Sequence, residues 1–158
     1  MTRGSTAIVD GVAKANPQQA WNLTHTIDPT KVYPKFGPLP AVLEVRNQTG
    51  SWDVVGRTRQ LLLSDGGSVV EHIIRADEPE VLAYRLSDFQ KLFGKLVSGA
   101  NAEWAFTPVA GGTRIRWTYT FHPLPRRGII VGVIVRLFWG PYMKRVLPTI
   151  IAEVNRLA

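Results

Sequence analysis

The sequence predicts an α+β fold in which a curved antiparallel sheet of about seven strands packs against one long C-terminal helix. Residues 41–122 read as alternating segments joined by Gly-containing turns, which is typical of antiparallel strands. From Met143 onward the apolar residues fall at three- and four-residue spacing, which indicates a helix. Packing the apolar face of the sheet against that helix covers both surfaces together.

One strand and two short helices are expected before the main run of strands. The stretch Ser5–Ala13 (STAIVDGVA) predicts the first strand. Asn16 precedes a proline at a helical first turn, which predicts a short helix from Pro17 to about Leu23. Asp28-Pro29 repeats this signature and predicts a second short helix ending near Phe36.

Six further strands follow, separated by turn signals such as Ser64-Asp65-Gly66-Gly67 and Ala110-Gly111-Gly112. The predicted strands cover residues 41–48, 54–63, 68–76, 81–87, 101–109 and 113–122. Residues 88–99 read as a loop across the mouth of the structure. The last strand alternates almost strictly, with one apolar face made of Ile115, Trp117, Tyr119 and Phe121.

The C-terminal region predicts a helix with two different halves. From Met143 onward the apolar residues fall on one face, and Pro148 falls on the polar face. Gly128–Trp139 (GIIVGVIVRLFW) has one charge, Arg136, and is expected to be buried nearly all round. Arg136 and Gly140-Pro141 interrupt the apolar run, which argues against a transmembrane helix. A helix lying on a membrane surface is the other alternative, because basic residues flank the segment.

Composition limits the classes of function. A chain of 158 residues predicts a single domain, 1–158, with a real core. The absence of cysteine excludes disulfides and thiolate metal sites, and an N-terminus without an export signal favours the cytoplasm. The net charge of +7 comes from scattered basic residues, so nucleic-acid binding is not expected. Weak contact with an anionic membrane surface stays open, as does the choice between monomer and homodimer.

No sequence motif specifies a reaction. There is no Gly-x-Ser-x-Gly, which argues against a hydrolase nucleophile. His25, His72 and His122 lie far apart, so no metal site is expected. The two Gly-Gly pairs read as hairpin turns because no helix start with phosphate-loop spacing follows them. We therefore expect neither a metal nor a cofactor.

Short stretches in a particular order carry a family resemblance. They are Asn16-Pro17 with Ala20-Trp21, Val55-Gly56-Arg57-Thr58-Arg59, Val69-Val70-Glu71-His72-Ile73, Asp77-Glu78-Pro79 before Ala83-Tyr84, and Ala110-Gly111-Gly112-Thr113-Arg114-Ile115-Arg116-Trp117. The chain resembles the helix-grip proteins of the START-like, or SRPBCC, superfamily, and most of all their polyketide cyclase/dehydrase-like branch. The resemblance implies a deep apolar cavity between sheet and long helix that holds a lipid-like or polycyclic ligand. It does not by itself imply catalysis.

The candidate site residues are those expected to line that cavity. They are Tyr33, Glu71, Tyr84, Phe89, Trp104, Phe106, Trp117, Tyr119, Phe138 and Tyr142. The sheet aromatics are expected to face Val133, Leu137 and Phe138, while Tyr33, Phe36 and the Phe89–Phe93 loop are candidates for the mouth.

The strand that carries Glu71 does not alternate cleanly, so either Glu71 with Arg75 or His72 alone points inward. A buried Glu71 would need a cationic partner, which Arg57 or Arg59 could supply. The sequence thus favours a protein that carries or sequesters a hydrophobic small molecule. The alternative is a polyketide aromatase/cyclase-like enzyme that uses acid-base residues in the same cavity.

Overall fold

The fold comes from a computed structural model that describes residues 5–158. Its seven strands are β1 (Ser5–Ala13), β2 (Val42–Arg46), β3 (Thr58–Leu63), β4 (Ser68–Asp77), β5 (Val81–Ser87), β6 (Val97–Val109) and β7 (Gly112–Pro123). Its α-helices are α1 (Pro17–Thr26), α2 (Pro29–Val32), α3 (Lys91–Gly94), α4 (Gly128–Ile134) and α5 (Gly140–Leu157). A π-helical segment, Val135–Trp139, joins α4 to α5 without a break in the helix.

All seven strands form one antiparallel sheet in the order β1-β7-β6-β5-β4-β3-β2. Consecutive strands from β2 to β7 are neighbours, whereas β1 pairs with β7, so β1 and β2 form the two edges. The inner face of β7 carries Ile115, Trp117, Tyr119 and Phe121, all of them buried. The predicted helix-grip architecture is confirmed: one curved sheet packs against a long C-terminal helix that begins at Gly128.

Local chemistry explains where the two short helices begin. The Asn16 side chain accepts a hydrogen bond from the Gln19 backbone amide, and the Gln19 side-chain oxygen accepts one from the Asn16 backbone amide, which completes a capping box. The Asp28 side chain caps α2 in a similar way through the Thr30 amide. The hydrogen bonds from Thr30 lower the pKa of Asp28, so its carboxylate stays charged at this position.

Three predicted boundaries were wrong. Helix α2 ends at Val32 and not near Phe36, because Pro34 disfavours helical geometry at Tyr33. Strand β3 begins at Thr58 and not at Val54, because the chain turns at Gly56 while Trp52 is buried ahead of it. The segment predicted as a loop over 88–99 contains α3 and the first residues of β6.

The expectation that Gly128–Trp139 is buried nearly all round was also wrong. Only Val131 and Val135 of α4 and the π-helical segment are buried. Val133 and Leu137, which were expected to face the sheet, are exposed. The mistake arose because the segment is apolar on both sides, and an apolar pattern alone does not say which side a sheet will cover.

The position of Pro148 was predicted correctly. It lies on the exposed side of α5, as its place on the polar face of the sequence pattern indicated.

The expectation about an export signal is not tested and stays a prediction. The N-terminal stretch used to argue against an export signal includes residues 1–4, which lie outside the described residues. Among residues 5–158, no helix is both long and apolar enough to span a bilayer.

Candidate functional site

A cavity lies between the inner face of the sheet, the segment around α2 and the C-terminal helix. Its volume, counted as the space that the centre of a water molecule can occupy, is about 90 Å³. Much of its wall is apolar, and the apolar and aromatic members include Val42, Leu61, Val69, Leu86, Phe89, Phe93, Trp117, Phe121 and Trp139. Since a single water needs roughly 10–15 Å³ of such volume, this interior space holds several. The sheet and helix therefore leave a gap in the core.

All four tyrosines of the chain line this cavity: Tyr33, Tyr84, Tyr119 and Tyr142. The Tyr142 hydroxyl donates to the Pro34 carbonyl at 2.9 Å, and the Tyr84 oxygen accepts from the Trp104 indole at 3.2 Å. The hydroxyls of Tyr33 and Tyr119 have no hydrogen-bond partner among residues 5–158.

Burial raises the pKa of each of the four phenols, most strongly for Tyr33 and Tyr119. Neighbouring phenols and the Glu71 carboxylate raise the pKa values of Tyr33 and Tyr119 further. The four side chains therefore remain neutral hydroxyl donors at physiological pH and are poor candidates for a catalytic base.

The charged part of the wall is a buried ion pair. Arg59 on β3 and Glu71 on β4 are directly opposite each other in the antiparallel register. The Arg59 Nε donates to Glu71 Oε1 at 2.6 Å, with exposed fractions of 9% and 4%. The guanidinium of Arg59 also lies over Trp52, with 4.1 Å between its Cζ atom and the ring centre. The arginine is thus held from two sides.

The register of β4 decides which of its polar residues faces the cavity. Val69, Glu71 and Ile73 are buried on the inner face, and a register shift between Ile73 and Arg75 interrupts the alternation. His72 lies on the other face, where its ring is 3.4 Å from an Arg85 nitrogen. Arg75 is exposed beyond the shift. The shift explains why the sequence pattern left two alternatives open.

The structure brings seven of the ten candidate residues together around the cavity. They are Tyr33, Glu71, Tyr84, Phe89, Trp117, Tyr119 and Tyr142. Trp104 stacks on the wall residue Trp117, with 4.8 Å between the two ring centres, and does not itself line the cavity. Phe106 packs against Trp21 and His25, and Phe138 lies close to Gly37, so neither reaches the cavity. As a ligand-binding set the residues stay a prediction.

Trp139 is the main wall residue that sequence reasoning missed. The centre of its ring lies 4.7 Å from the ring centre of Tyr119 and 5.2 Å from that of Phe121. Helical periodicity could not locate it, because the π-helical segment adds a residue to one turn and changes the face on which Trp139 falls. Phe93 and Phe121 also line the cavity. The sequence placed Phe93 at the mouth and Phe121 on the apolar face of the last strand, but neither was among the ten candidate residues.

A second hollow adjoins Arg59 on its other side. Its wall includes Trp21, His25, Trp52, Asp53 and Arg59. Four buried polar atoms here lack a partner within the described residues: Trp21 Nε1, His25 Nε2, Trp52 Nε1 and Asp53 Oδ1. Burial lowers the pKa of His25 to about 3; the Arg59 charge adds to this effect, and Asp53 opposes it. His25 is therefore neutral at pH 7.

Within the described part of the chain, no group of three His, Cys, Asp or Glu side chains could hold a metal ion. The site thus offers an apolar surface, neutral phenol donors, the Glu71 carboxylate paired with Arg59, and the Asp65 carboxylate. A family model described as polyketide cyclase/dehydrase and lipid transport matches residues 8–155. The chain belongs to this family.

Solved structures of proteins from three organisms share the fold of this chain. A protein from Rhizobium leguminosarum is 16% identical, with 99% of this chain and 97% of that chain covered and a TM-score of 0.65. Protein MLL2253 from Mesorhizobium loti is 13% identical over 97% and 98%, with a TM-score of 0.64. Ginseng major latex-like protein 151 from Panax ginseng is 13% identical over 98% and 97%, with a TM-score of 0.63.

No curated protein sequence matches the chain significantly. The structural likeness, at these identities, concerns the fold alone. Membership of the polyketide cyclase/dehydrase and lipid transport family supports a fold that binds hydrophobic ligands.

Proposed function

We propose that this protein binds a lipid-like or polycyclic small molecule in the cavity between sheet and C-terminal helix, and carries or sequesters it. The main support is the cavity wall, which combines apolar side chains with the unpartnered hydroxyls of Tyr33 and Tyr119. Ligand sites in proteins are concave, mostly apolar and equipped with a few polar groups of this kind. The proposal includes one ligand-binding domain, 1–158, that acts in the cytoplasm as a monomer or homodimer.

The charges of the wall favour an uncharged ligand. Its ionisable residues other than tyrosine are Arg59, Asp65 and Glu71, and the arginine is already paired with Glu71. A ligand carboxylate would meet more negative than positive charge there, at a desolvation cost. Neutral phenols donate hydrogen bonds to carbonyl, ether or hydroxyl oxygens. The ligand is therefore a neutral apolar molecule with oxygen acceptors.

The size of the cavity requires movement before a polycyclic molecule can enter. Pockets for drug-sized ligands typically span roughly 300–1,000 Å³, which exceeds the space available between these side chains. Phe89 and Phe93 lie half-buried at the cavity, where Phe89 precedes the four-residue helix α3 and Phe93 belongs to it. The centres of their two rings are 6.1 Å apart, and both rings pack against the ring of Phe121. We assign the gate to these two phenylalanines.

Native mass spectrometry of protein purified without detergent tests the proposal directly. The expected result is a retained neutral molecule that is released on unfolding. Titration with Nile red, a neutral apolar dye, provides a second measurement. Leu61→Trp, at a buried wall position, should fill the cavity and abolish dye binding, whereas Leu43→Trp on exposed β2 should not. Equal dye binding by the wild type and Leu61→Trp would reject the cavity as the site.

The buried Arg59–Glu71 pair favours a second candidate function, acid-base catalysis of polyketide cyclisation. A carboxylate held beside an apolar cavity could accept a proton from a poly-β-ketone while a phenol donates to the enolate oxygen. Incubation with a linear poly-β-keto thioester, followed by mass spectrometry, would show loss of water if the chain catalyses aromatisation. Tyr119→Phe should then abolish turnover, whereas it should weaken dye binding only by the loss of one hydrogen bond. Turnover that is unaffected by this change would exclude Tyr119 as the donor.

A further inference from the structure

The helix beside the cavity exposes apolar side chains to solvent along its outer side. Ile129 is 88% exposed, Ile130 47%, Val133 46% and Leu137 57%. Three of these residues are spaced by four along the chain, so they form one stripe, with Ile130 beside it. We name these four residues the outer face. Contiguous exposed apolar surface of this kind marks an interaction site and not a core.

The excess positive charge of the protein lies in the same part of the chain. Residues 104–152 contain seven Lys and Arg and no Asp or Glu, and the rest of the chain has twelve of each sign. The entire net charge of +7 therefore belongs to this stretch. Arg126 and Arg127 precede the outer face and Arg136 lies within it, all three exposed. No ion pair in the described region involves any of the three arginines.

We propose that the outer face docks on an anionic lipid bilayer, with its apolar side chains in the interface and its arginines among the head groups. Helices that lie in a membrane interface combine an apolar stripe with flanking basic residues in this way. Anionic head groups attract such clusters, and the attraction falls off within a Debye length.

A bilayer suits this surface better than a second copy of the chain. Two outer faces packed against each other would bring Arg126, Arg127 and Arg136 of both copies together without any acidic partner from residues 104–152. Like charges brought together on loss of solvent destabilise an interface. An anionic membrane supplies both the apolar layer and the opposite charge that this surface lacks.

Docking would bring the cavity close to the membrane. Trp139 ends the π-helical segment and lines the cavity, while Leu137, two residues earlier, belongs to the outer face. The Leu124 amide, just ahead of α4, donates to the Leu96 carbonyl at 2.8 Å, which ties this part of the chain to a residue that follows the gate residue Phe93 closely. If the proposed ligand binding holds, the apolar ligand is exchanged with the bilayer. The docking itself needs no ligand.

Vesicle sedimentation of the purified full chain tests this inference. The protein should sediment with phosphatidylcholine vesicles that contain phosphatidylserine, less so at high salt, and hardly at all with phosphatidylcholine alone. Ile129→Ser/Leu137→Ser should weaken binding about tenfold or more, because it removes most of the inserted apolar surface. Leu43→Ser, an equally exposed leucine on β2, should change nothing. Urea midpoints of all variants should match the wild type, since every changed side chain is exposed.

A second pair of variants separates local from overall charge. Arg126→Gln/Arg127→Gln should reduce binding, while Lys31→Gln/Lys35→Gln removes the same charge elsewhere and should not. The proposal is overturned if the wild type ignores anionic vesicles at low salt, or if both double charge variants lose binding equally. It is also overturned if sedimentation equilibrium shows a dimer that Ile129→Ser/Leu137→Ser abolishes. The native mass spectrometry of retained ligand does not depend on vesicle binding. A failure to bind vesicles would therefore not count against ligand binding in the cavity.

Discussion

Arg59 and Glu71 face each other across two neighbouring strands, 2.6 Å apart and almost fully buried beside the cavity. Replacing one partner leaves the other charge buried without compensation, which typically costs about 3–5 kcal/mol of stability. Glu71→Gln should therefore lower the free energy of unfolding by about that amount, as measured by urea denaturation.

The surface pair Arg46–Glu44 on β2 provides the matched control, because both side chains are about half exposed. Glu44→Gln should cost less than about 1 kcal/mol. The interpretation fails if Glu71→Gln is no more destabilising than Glu44→Gln. The double change Arg59→Met/Glu71→Met should recover part of the loss, since apolar residues replace both charges.

Tyr119 and Tyr142 can be compared directly because both phenols line the cavity. Only the Tyr142 hydroxyl makes a hydrogen bond to another residue of the described chain. Tyr142→Phe removes the hydrogen bond to the Pro34 carbonyl and should cost about 1 kcal/mol in urea denaturation. Tyr119→Phe removes a hydroxyl without a protein partner, so stability should stay the same or rise slightly. Affinity for an oxygen-bearing ligand should instead fall. A stability loss in Tyr119→Phe equal to that in Tyr142→Phe would contradict this assignment.

Neutral His25 should make the stability of the protein pH-dependent. Its pKa falls from an ordinary 6.5 to about 3 on folding, so the unfolded chain binds the proton that the folded chain rejects. Between these values, stability should decrease as pH falls, by up to about 1.4 kcal/mol per pH unit from this residue. Above pH 6.5 the contribution is complete and constant.

Urea denaturation at pH 7.5, 6.0 and 5.0 checks this prediction, since all three values lie above the ordinary range of carboxylates. His25→Gln should show a flatter pH dependence than the wild type. Equal slopes for the two proteins would mean that His25 binds its proton as readily in the folded chain as in the unfolded chain.

The turn between β6 and β7 contains two glycines with different requirements. Gly112 has a φ of 153°, and a Cβ atom there would lie 1.9 Å from the Ala13 carbonyl oxygen of the paired strand. Gly111 has a φ of 85° with open space around it, so Gly111→Ala should cost only about 1 kcal/mol. Gly112→Ala should cost clearly more and Gly112→Val should impair folding. Thermal denaturation of the alanine pair tests this ranking, and equal midpoints would refute it.

Periodic signals in the sequence were sufficient for most of the fold. The strict alternation around Trp117 and Tyr119 correctly placed these side chains on the inner face of β7. The capping signatures at Asn16 and Asp28 correctly predicted where α1 and α2 begin. These features depend on neighbours within a few residues, so local chemistry determines them.

The site was harder to predict because it depends on departures from periodicity. Glu71 faces inward by the ordinary alternation of β4, whereas a register shift after Ile73 leaves Arg75 facing solvent. The uneven residue pattern of β4 signals an irregularity but does not say where it lies. Trp139 reaches the cavity through a π-helical turn, and Ile129 faces solvent although its sequence context resembles a core. Such positions depend on how the helix meets the sheet, which a single sequence does not reveal.

The five π-helical residues Val135–Trp139 contain one residue more than ordinary winding would place there. An α-helix turns by about 100° per residue, and the π-helical turn spreads a similar rotation over the extra residue. Deleting one residue from it should restore ordinary winding, with Ile129 still exposed and Met143 and Ile150 still packed against the sheet. A deletion within α4 would instead rotate the residues before it by about 100°, so the π-helical segment is where this helix tolerates a change of length.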